Sequence, residues 1–600
     1  MADEKNETSI WKEYQEGLSF QQNMEFSKKF PEYERFKQGD QWPEATERTK
    51  ALPRPVFNII RLFVTNKKSN VLNQNMKMVY SSAETASSVD ESGQGMGMDD
   101  DSVAQAIQGA MDYTNYSENL WYELDQDELN DQFVEDAASC GTGILHYYWD
   151  DTVKGGQLQP YIGALRGETI DALNIFFANP QLTDVQKQPW VIISSREDVK
   201  TVRERAKGSK LSKADIELIS PDNDSDSEGY DTAKKEQDGS EKVTVLTKYY
   251  RKEGKVYYSK STRSVVLEND KCLTPETYTK EEIAQLASMG MEVPQSAVID
   301  RYPIVVMQWQ KRKKCMFGAG EIEGIIPNQK AINFNIAMML LSVQDNAWPK
   351  LVTKPGALRQ VITNLPGEIL TDYYSSGDGV KYMQPPNFNY MAISLVDKVM
   401  ELSRSTSGVT EVATGEQLGA NMAASAIIAL QNQAKVPIEN IQKRFYRSIK
   451  DVGKIWEQFF KTYYNMPRMM TVDDVQGGVT ASPFLGEQYK NVEFKLKIDV
   501  GPASAYSESL AMATLDKMYD KGDIGLEMYA ELAPNNVMPF KETLKKLVQR
   551  ANEQAQLQAQ QQAMAQGDMQ MPGQQPMGSQ LGNSNPTPLS QRGSVMDGMY

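Results

Sequence analysis

The stretch SGVTEVATGEQLGANMAASAIIALQNQAKVPIENIQKRFYRSIKDVGKIWEQFFKTYY, residues 407–464, decides how the rest of the chain is read. Its opening carries glycines and no hydrophobic period, which predicts a loop over 407–423. Beyond it, Ile438, Ile441, Phe445, Ile449, Val452, Trp456, Phe459 and Tyr463 recur every third or fourth residue, so 424–464 predicts one long amphipathic helix. At about 1.5 Å per residue such a helix extends roughly 60 Å, enough to traverse a subunit or line an assembly. Pro437 interrupts the stripe. Proline has no N–H to donate and clashes with the preceding turn, so a kink is expected there.

Upstream of this stretch, 328–347 predicts a helix with Ile332, Ile336, Met339, Leu340 and Val343 on one side. Residues 391–406 predict a second, with Leu395, Val399 and Leu402 on one stripe. Between them, KLVTK, EILTD and VKYM are short β-like pieces among prolines and glycines. The first 318 residues read as α+β. Helical patterns cover 11–36, 56–78 and 103–140, and 81–101 is a small, polar, acidic excursion. GILHYYWDD, QPYIGALR, FFANP and WVIISS then read as strands, and KVTVLTKYYRKEGKVYYSK as a hairpin turning at Glu253-Gly254. Residues 215–241 form an acidic solvated loop. After the long helix, VEFKLKIDV (492–500) alternates like a strand, and 504–565 returns to helix with breaks near Gly522 and Pro534. The Gln-, Met-, Gly- and Pro-rich tail cannot bury enough apolar area to offset its ordering entropy and is expected to be disordered.

Composition excludes several classes. Asp and Glu outnumber Lys and Arg by 80 to 64, a formal charge of −16. That disfavours a protein wrapping nucleic acid in a basic face, without excluding one that lets DNA slide past. Cys140, Cys272 and Cys315 are far apart and form no CxxC, which fits a reducing compartment. The polar start is no signal peptide, and 332–343 is too short and interrupted to span a bilayer. A single histidine, His146, lies in the apolar run GILHYYW; histidine-based catalysis and most zinc sites need partners it lacks in the sequence, so it reads as structural. No GxxxxGK[ST] phosphate loop occurs, which argues against a P-loop ATPase. GQGMG (93–97) follows no strand, and Asp99, Asp100 and Asp101 read as a solvated charge run rather than a nuclease metal site. The basic run 311–314 reads as a charged turn after the strand PIVVMQWQ. No catalytic, cofactor or metal residue is assigned.

Three passages in order carry a family resemblance: FKQGDQWPEATERTKALPRPVFNIIRLFVTNKKSNV (36–71), FGAGEIEGIIPNQKAINFNIAMML (317–340) and SGVTEVATGEQLGANMAASAIIALQNQ from 407. Together they resemble the portal proteins of short-tailed bacteriophages. The resemblance implies a mixed α+β portal fold with an α/β wing, two stem helices, a small α/β clip, a long kinked wing helix and a helical crown. On that pattern 1–318 is the N-terminal wing, 319–347 the first stem helix, 348–390 the clip and 391–406 the second stem helix. The tunnel loop is 407–423, the long helix and rest of the wing 424–503, the crown 504–565 and the tail 566–600. A long C-terminal helical barrel, present in some such portals, is not evident. The resemblance further implies a ring, a dodecamer in the family, at one capsid vertex. Through it double-stranded DNA would be packaged, retained and ejected, in the virion and, during assembly, in the host cytoplasm. Its implied partners are the terminase large subunit, head-completion, connector or tail proteins, and major capsid and scaffold proteins; no membrane is involved. Thr410, Glu411, Thr414, Glu416, Gln417 and Asn421 become channel candidates. Lys350, Lys354, Arg359, Asp372, Tyr373, Tyr374 and Asp378 become clip contacts for terminase or connector, and Pro437 the kink. The rival readings are a metal-dependent phage nuclease, which needs clustered carboxylates, and a helical scaffold protein that forms filaments or small oligomers.

Overall fold

The computed structural model describes residues 7–47, 49–50, 52–74, 76–82, 100–156, 161–208, 211–222, 241–275, 297–347, 351–359, 371, 373, 379–383, 391–408, 424–473, 479–500, 505–522, 524–525 and 528–529. The chain divides into two compact units, one of 1–474 with 479–507 and one of 475–478 with 508–600.

The first unit begins with α1 (Ser9–Asn23) and α2 (Phe26–Gln38). The Thr8 hydroxyl caps α1 by accepting from the Trp11 N–H at 3.3 Å. The predicted helical stretch breaks at Glu25, whose φ of 59° is left-handed. Next come α3 (Ile59–Leu72) and β1 (Met76–Ser82), then α4 (Asp100–Glu123) and α5 (Gln126–Cys140), parted at Asp125 with φ 48°. Sequence periodicity extends the third helix to residue 78. In the structure Met76, Lys77 and Met78 are strand, paired with Val500, Asp499 and Ile498. Hydrogen bonds to a distant strand override a helical local pattern there.

Strands β2 (Thr142–Lys154), β3 (Ile162–Thr169), β4 (Ile175–Phe177) and β5 (Trp190–Asp198) follow. Short helices α6 (Val199–Lys207) and α7 (Lys213–Glu217) precede β6 (Lys242–Lys252), β7 (Lys255–Ser261), β8 (Val266–Cys272) and β9 (Ile304–Gln308). The β6–β7 hairpin turns at Glu253 and Gly254, both at positive φ, the conformation a two-residue turn needs. Two antiparallel sheets result, β3-β2-β9 and β4-β5-β6-β7-β8.

Next is α8 (Glu321–Ala347), which begins seven residues before the predicted helix and carries Pro327 within it. After it lie β10 (Leu351–Thr353) and β11 (Val380–Tyr382), α9 (Met391–Ser407) and α10 (Ala424–Tyr463). Strands β12 (Arg468–Asp473) and β13 (Val479–Phe484) form a hairpin the sequence reading did not identify, and β14 (Phe494–Val500) pairs with β1. The helix α11 (Ala505–Lys521) follows; the expected break near Pro534 and the tail 566–600 lie outside the described residues.

The long helix organises the core. Ile438, Ile441, Phe445, Ile449, Val452, Trp456 and Phe459 are all buried, as the sequence stripe predicts. Near its C-terminal end an aromatic nest closes around it: Tyr116 stacks on Phe484 at 4.1 Å, and Phe460 meets Tyr113, Tyr116 and Phe484 edge-on. Gly453 lets β14 approach closely, since a Cβ there would lie 2.4 Å from Leu496. Its carbonyl accepts from the Tyr80 hydroxyl of β1 at 2.9 Å.

Trp456 is fully buried and sits edge-on to both Trp121 and Tyr147. Trp456→Ala is expected to cost about 3–5 kcal/mol of stability, measured by denaturant unfolding of the purified protein, while leaving the far-ultraviolet spectrum native-like.

Candidate functional site

The two helices α8 and α9, the small sheet between them and the junction with α10 occupy the region the sequence assigns to stem, clip and long helix. Their base is held by backbone contacts that admit no side chain. After β9 the chain turns through 310–319, closed by a bridge between Gln310 and Ala319. A Cβ on Gly318 would lie 2.3 Å from the Gly141 carbonyl oxygen, and one on Gly320 2.3 Å from that of Ser139. The FGAG sequence therefore lets the start of α8 press on the C-terminal end of α5. The basic run forms this turn: Lys314 has φ 50° and Arg312 pairs with Glu323.

Two buried polar systems then fix α8. At its first turn Glu321 accepts from Lys67 of α3 at 2.7 Å and from the Trp309 indole at 2.8 Å, with both charged side chains under a tenth exposed. Two turns on, Gln329 and Asn333 reach the segment before α3. The Gln329 amide donates to the Phe57 carbonyl at 2.7 Å and its oxygen accepts from the Ile59 N–H at 3.0 Å. The Asn333 oxygen accepts from Gln329 at 2.9 Å and from the Phe57 N–H at 3.3 Å, and its amide donates to Gln41 at 2.6 Å. Gln41 in turn donates to the Phe36 carbonyl at 2.8 Å. Around them the Trp42 indole donates to the Pro55 carbonyl at 2.9 Å, and Asn58 caps α3 by accepting from Arg61 at 3.0 Å. Two of the passages that carried the family resemblance thus bind each other.

The second helix is tied on by Asn328, whose amide donates to the buried Ser403 hydroxyl at 3.0 Å. Farther along both helices the polarity inverts. Ile332 is buried and Ile336 half-buried, but Phe334, Met338, Leu340 and Val343 of α8 are exposed, as are Met391, Ile393, Leu395 and Leu402 of α9. Leu340, Val343, Leu395 and Leu402, on the apolar stripes read from the sequence, therefore face outward in the single chain. In the small sheet β10 and β11 pair, and Val352 is exposed. Of the clip candidates, Arg359 lies over the exposed Tyr373 ring at 5.0 Å, and Lys354 hydrogen-bonds through its N–H to the Gly379 carbonyl at 2.9 Å. Lys350, Asp372, Tyr374 and Asp378 lie outside the described residues.

The long helix meets this base. Arg444 donates to the Trp309 carbonyl, and Pro437 packs on Gly408, which ends α9 at φ 72°. A cavity of about 390 Å³ lies among Lys67, Trp309, Glu321, Gly408, Pro437 and Arg444. The channel candidates Thr410, Glu411, Thr414, Glu416, Gln417 and Asn421 all fall in 409–423, outside the described residues. The helix continues through Pro437.

A family model described as Phage P22-like portal protein matches residues 12–583. The chain belongs to the P22-like phage portal protein family. No curated protein matches it. The family's proteins are structural components of the phage head-to-tail connection used in genome packaging, and portal function follows for this chain. The mixed α/β fold is compatible with that assignment.

Elsewhere the portal chain holds its histidine by both ring nitrogens. His146 Nδ1 lies 2.8 Å from Glu168 and Nε2 2.8 Å from the Tyr249 hydroxyl, joining the two larger sheets, in line with a structural histidine. Among the described residues no group of three or more His, Cys, Asp or Glu could hold a metal, and no helix is long and apolar enough to cross a membrane. The sequence reading missed Gln41, Gln329, Asn333 and the Lys67–Glu321 pair. The available signal was carboxamides recurring inside an apolar helical stripe, where an unsatisfied amide is too costly to keep.

Removing one partner of a buried ion pair strands the other. Lys67→Met is expected to cost about 3–5 kcal/mol. Adding Glu321→Gln, which keeps an acceptor for Trp309, is expected to recover most of that loss; a double-mutant cycle of unfolding free energies checks both.

Proposed function

We propose that this portal protein works as a closed ring whose stem helices pack side by side between neighbouring copies, a dodecamer by family pattern. The observation that carries this reading is the exposed apolar face of α8 and α9, from Phe334 to Val343 and from Met391 to Leu402, in a chain whose family match spans almost its whole length. A soluble protein rarely leaves so much contiguous apolar surface on paired helices unless another chain covers it. A heterologous contact of this kind closes into a ring when its rotation divides a full turn and otherwise runs on as a filament.

Double-stranded DNA would pass through that ring, with the 407–423 segment at the channel and Thr410, Glu411, Thr414, Glu416, Gln417 and Asn421 as the groups that face it. The clip, with Arg359 and Tyr373 at its surface, would dock the terminase large subunit and later head-completion, connector or tail proteins. The wing would meet major capsid and scaffold proteins. The ring performs no bond chemistry: its contribution is a rigid passage at one capsid vertex, built in the host cytoplasm and kept in the virion. The single-chain domain limits proposed from the sequence stand with this reading: wing to 318, stem 319–347 and 391–406, clip 348–390, and crown 504–565.

Negative-stain images of the purified protein are expected to show rings with an axial hole, and native mass spectrometry a single high-order oligomer. Val343→Asp, placing charge on the exposed stem face, is expected to shift the protein toward monomer without lowering the monomer's helix content. A monomer at every salt and protein concentration for the unaltered chain would overturn the ring.

Pro437 contacts Gly408 at the base of the proposed channel segment. Pro437→Ala restores a backbone donor and removes the ring carbons beyond Cβ beside Gly408, while the buried stripe from Ile438 to Phe459 is untouched. Rings are therefore expected to assemble, with DNA packaging or retention reduced. Equal packaging by mutant and unaltered phage, with the 407–423 segment unmoved in electron-microscopy maps, would count against a role for Pro437.

A further inference from the structure

We propose that Arg301, Arg447, Lys450 and Lys454 form a phosphate-binding face for the backbone of double-stranded DNA, apart from the stem and the 409–423 segment. It rests on the reading that this portal handles duplex DNA.

In a chain of net charge −16, these four cations gather on one surface. Arg447, Lys450 and Lys454 follow one another at helical spacing on α10, spanning about 10 Å. Arg301 is brought beside them from the loop before β9. Its N–H donates to the Gln458 side chain at 3.2 Å, one turn beyond Lys454, and Gln458 also binds Asp300. Arg447 and Lys450 are exposed, Arg301 and Lys454 half-exposed. Among the described residues none of the four has a carboxylate within ion-pair distance; the neighbouring Lys443 and Lys461 are both paired, to Glu439 and Glu457.

The nearby acids do not balance the cluster. Glu457 is paired with Lys461, and Asp184 lies 3.9 Å from the Lys187 ammonium. Asp451 lies among the four, and Asp300 adjoins Arg301 and accepts from Gln458. Burial holds the Asp451 carboxyl above the usual range against the pull of Lys454, Arg301 and Arg447. Burial and then the charge of Arg301 hold Lys454 below its usual range. Four cations outnumber the two acids beside them, so the cluster keeps a net positive charge that a polyanion would offset.

The chemistry favours phosphate over a protein surface. Protein interfaces centre on apolar or aromatic anchors and are depleted in lysine. Along the described part of α10 the exposed large apolar side chain is Val436, well upstream of Arg447. A solvated, anchor-free row of cations instead matches the sequence-independent backbone contacts made to DNA, several phosphates lying within the span of the row.

The test uses the full-length assembled protein and a blunt 30-base-pair duplex, titrated across salt from about 20 to 200 mM. The variant carries Arg301→Gln, Arg447→Gln, Lys450→Gln and Lys454→Gln together; Lys443→Gln, on the same helix but ion-paired, removes one charge as control, and Lys450→Gln alone serves if the fourfold variant misfolds. Each lost phosphate contact reduces the slope of log affinity against log salt by about 0.9. The fourfold variant is expected to lose two or more units of slope and at least tenfold in affinity at low salt, the single variant about one unit, and the control under half a unit. Binding by the fourfold variant with unchanged slope, or no duplex binding by the unaltered protein at 20 mM salt, would overturn the proposal. So would a variant whose oligomer size changes while its DNA slope does not, since the cations would then hold an acidic surface of a neighbouring copy. Ring images test the portal reading separately, so rings without this slope change reject the phosphate face alone.

Discussion

Gln41, Gln329 and Asn333 make a buried amide network that the position of the stem depends on. Carboxamides withdrawn from water must find partners or cost several kilocalories. Here each partner lies on a different segment: the loop after α2, the strand-like run before α3, and α8 itself. The network can be satisfied only when those segments are all in place. Together with Lys67 and Glu321 one end of α8 is fixed to α3 by directional bonds rather than by apolar contact alone. Apolar packing tolerates sliding of one helix on another; a bidentate amide and a buried ion pair do not. The close approach of Gly318 and Gly320 to the end of α5 adds a steric stop at the same place.

This gives the stem two ends of opposite character. Its base is polar within and tied to the rest of the subunit through α3, α5, β9 and α10. Its farther part, including Leu340, Val343 and Leu395, presents apolar side chains that the single chain does not cover. On the proposed ring both properties would be used: the base would hold orientation relative to the body of the subunit, and the outer length would find its packing in neighbours. The junction where Arg444 reaches Trp309 and Pro437 reaches Gly408 links the long helix to that base, so the segment entering α10 starts from a defined point.

Much of the architecture was legible from local pattern. The stripe from Ile438 to Phe459 specified a long helix because its period repeats within a few residues and needs no knowledge of the partner. Glu253-Gly254 specified a hairpin because positive φ at both positions is a local demand, met in the structure. The succession of helix, small β pair, helix and long helix followed from the same local signals, and the family passages added the portal assignment to it. The isolated histidine was readable as structural, although that Glu168 and Tyr249 hold it was not.

Other features were settled only by tertiary structure, and the reason is distance along the chain. Met76–Met78 continued a helical pattern yet became strand because Ile498–Val500, over four hundred residues later, supplies its hydrogen bonds. Leu340 and Leu402 lay on apolar stripes legible in the sequence, but whether such a stripe faces the chain's own core depends on what the fold brings against it. The amides of Gln41, Gln329 and Asn333 looked unremarkable because a hydrogen bond is defined by its partner's position. The crowding of Arg301 against Arg447, Lys450 and Lys454 was likewise invisible, since one of the four comes from a loop before β9. Sequence by itself determined the elements whose energetics are local, the long helix and the turn; the tertiary structure decided pairings, exposed faces and charge clusters, because those energies exist only once distant residues are within bonding or Coulomb range.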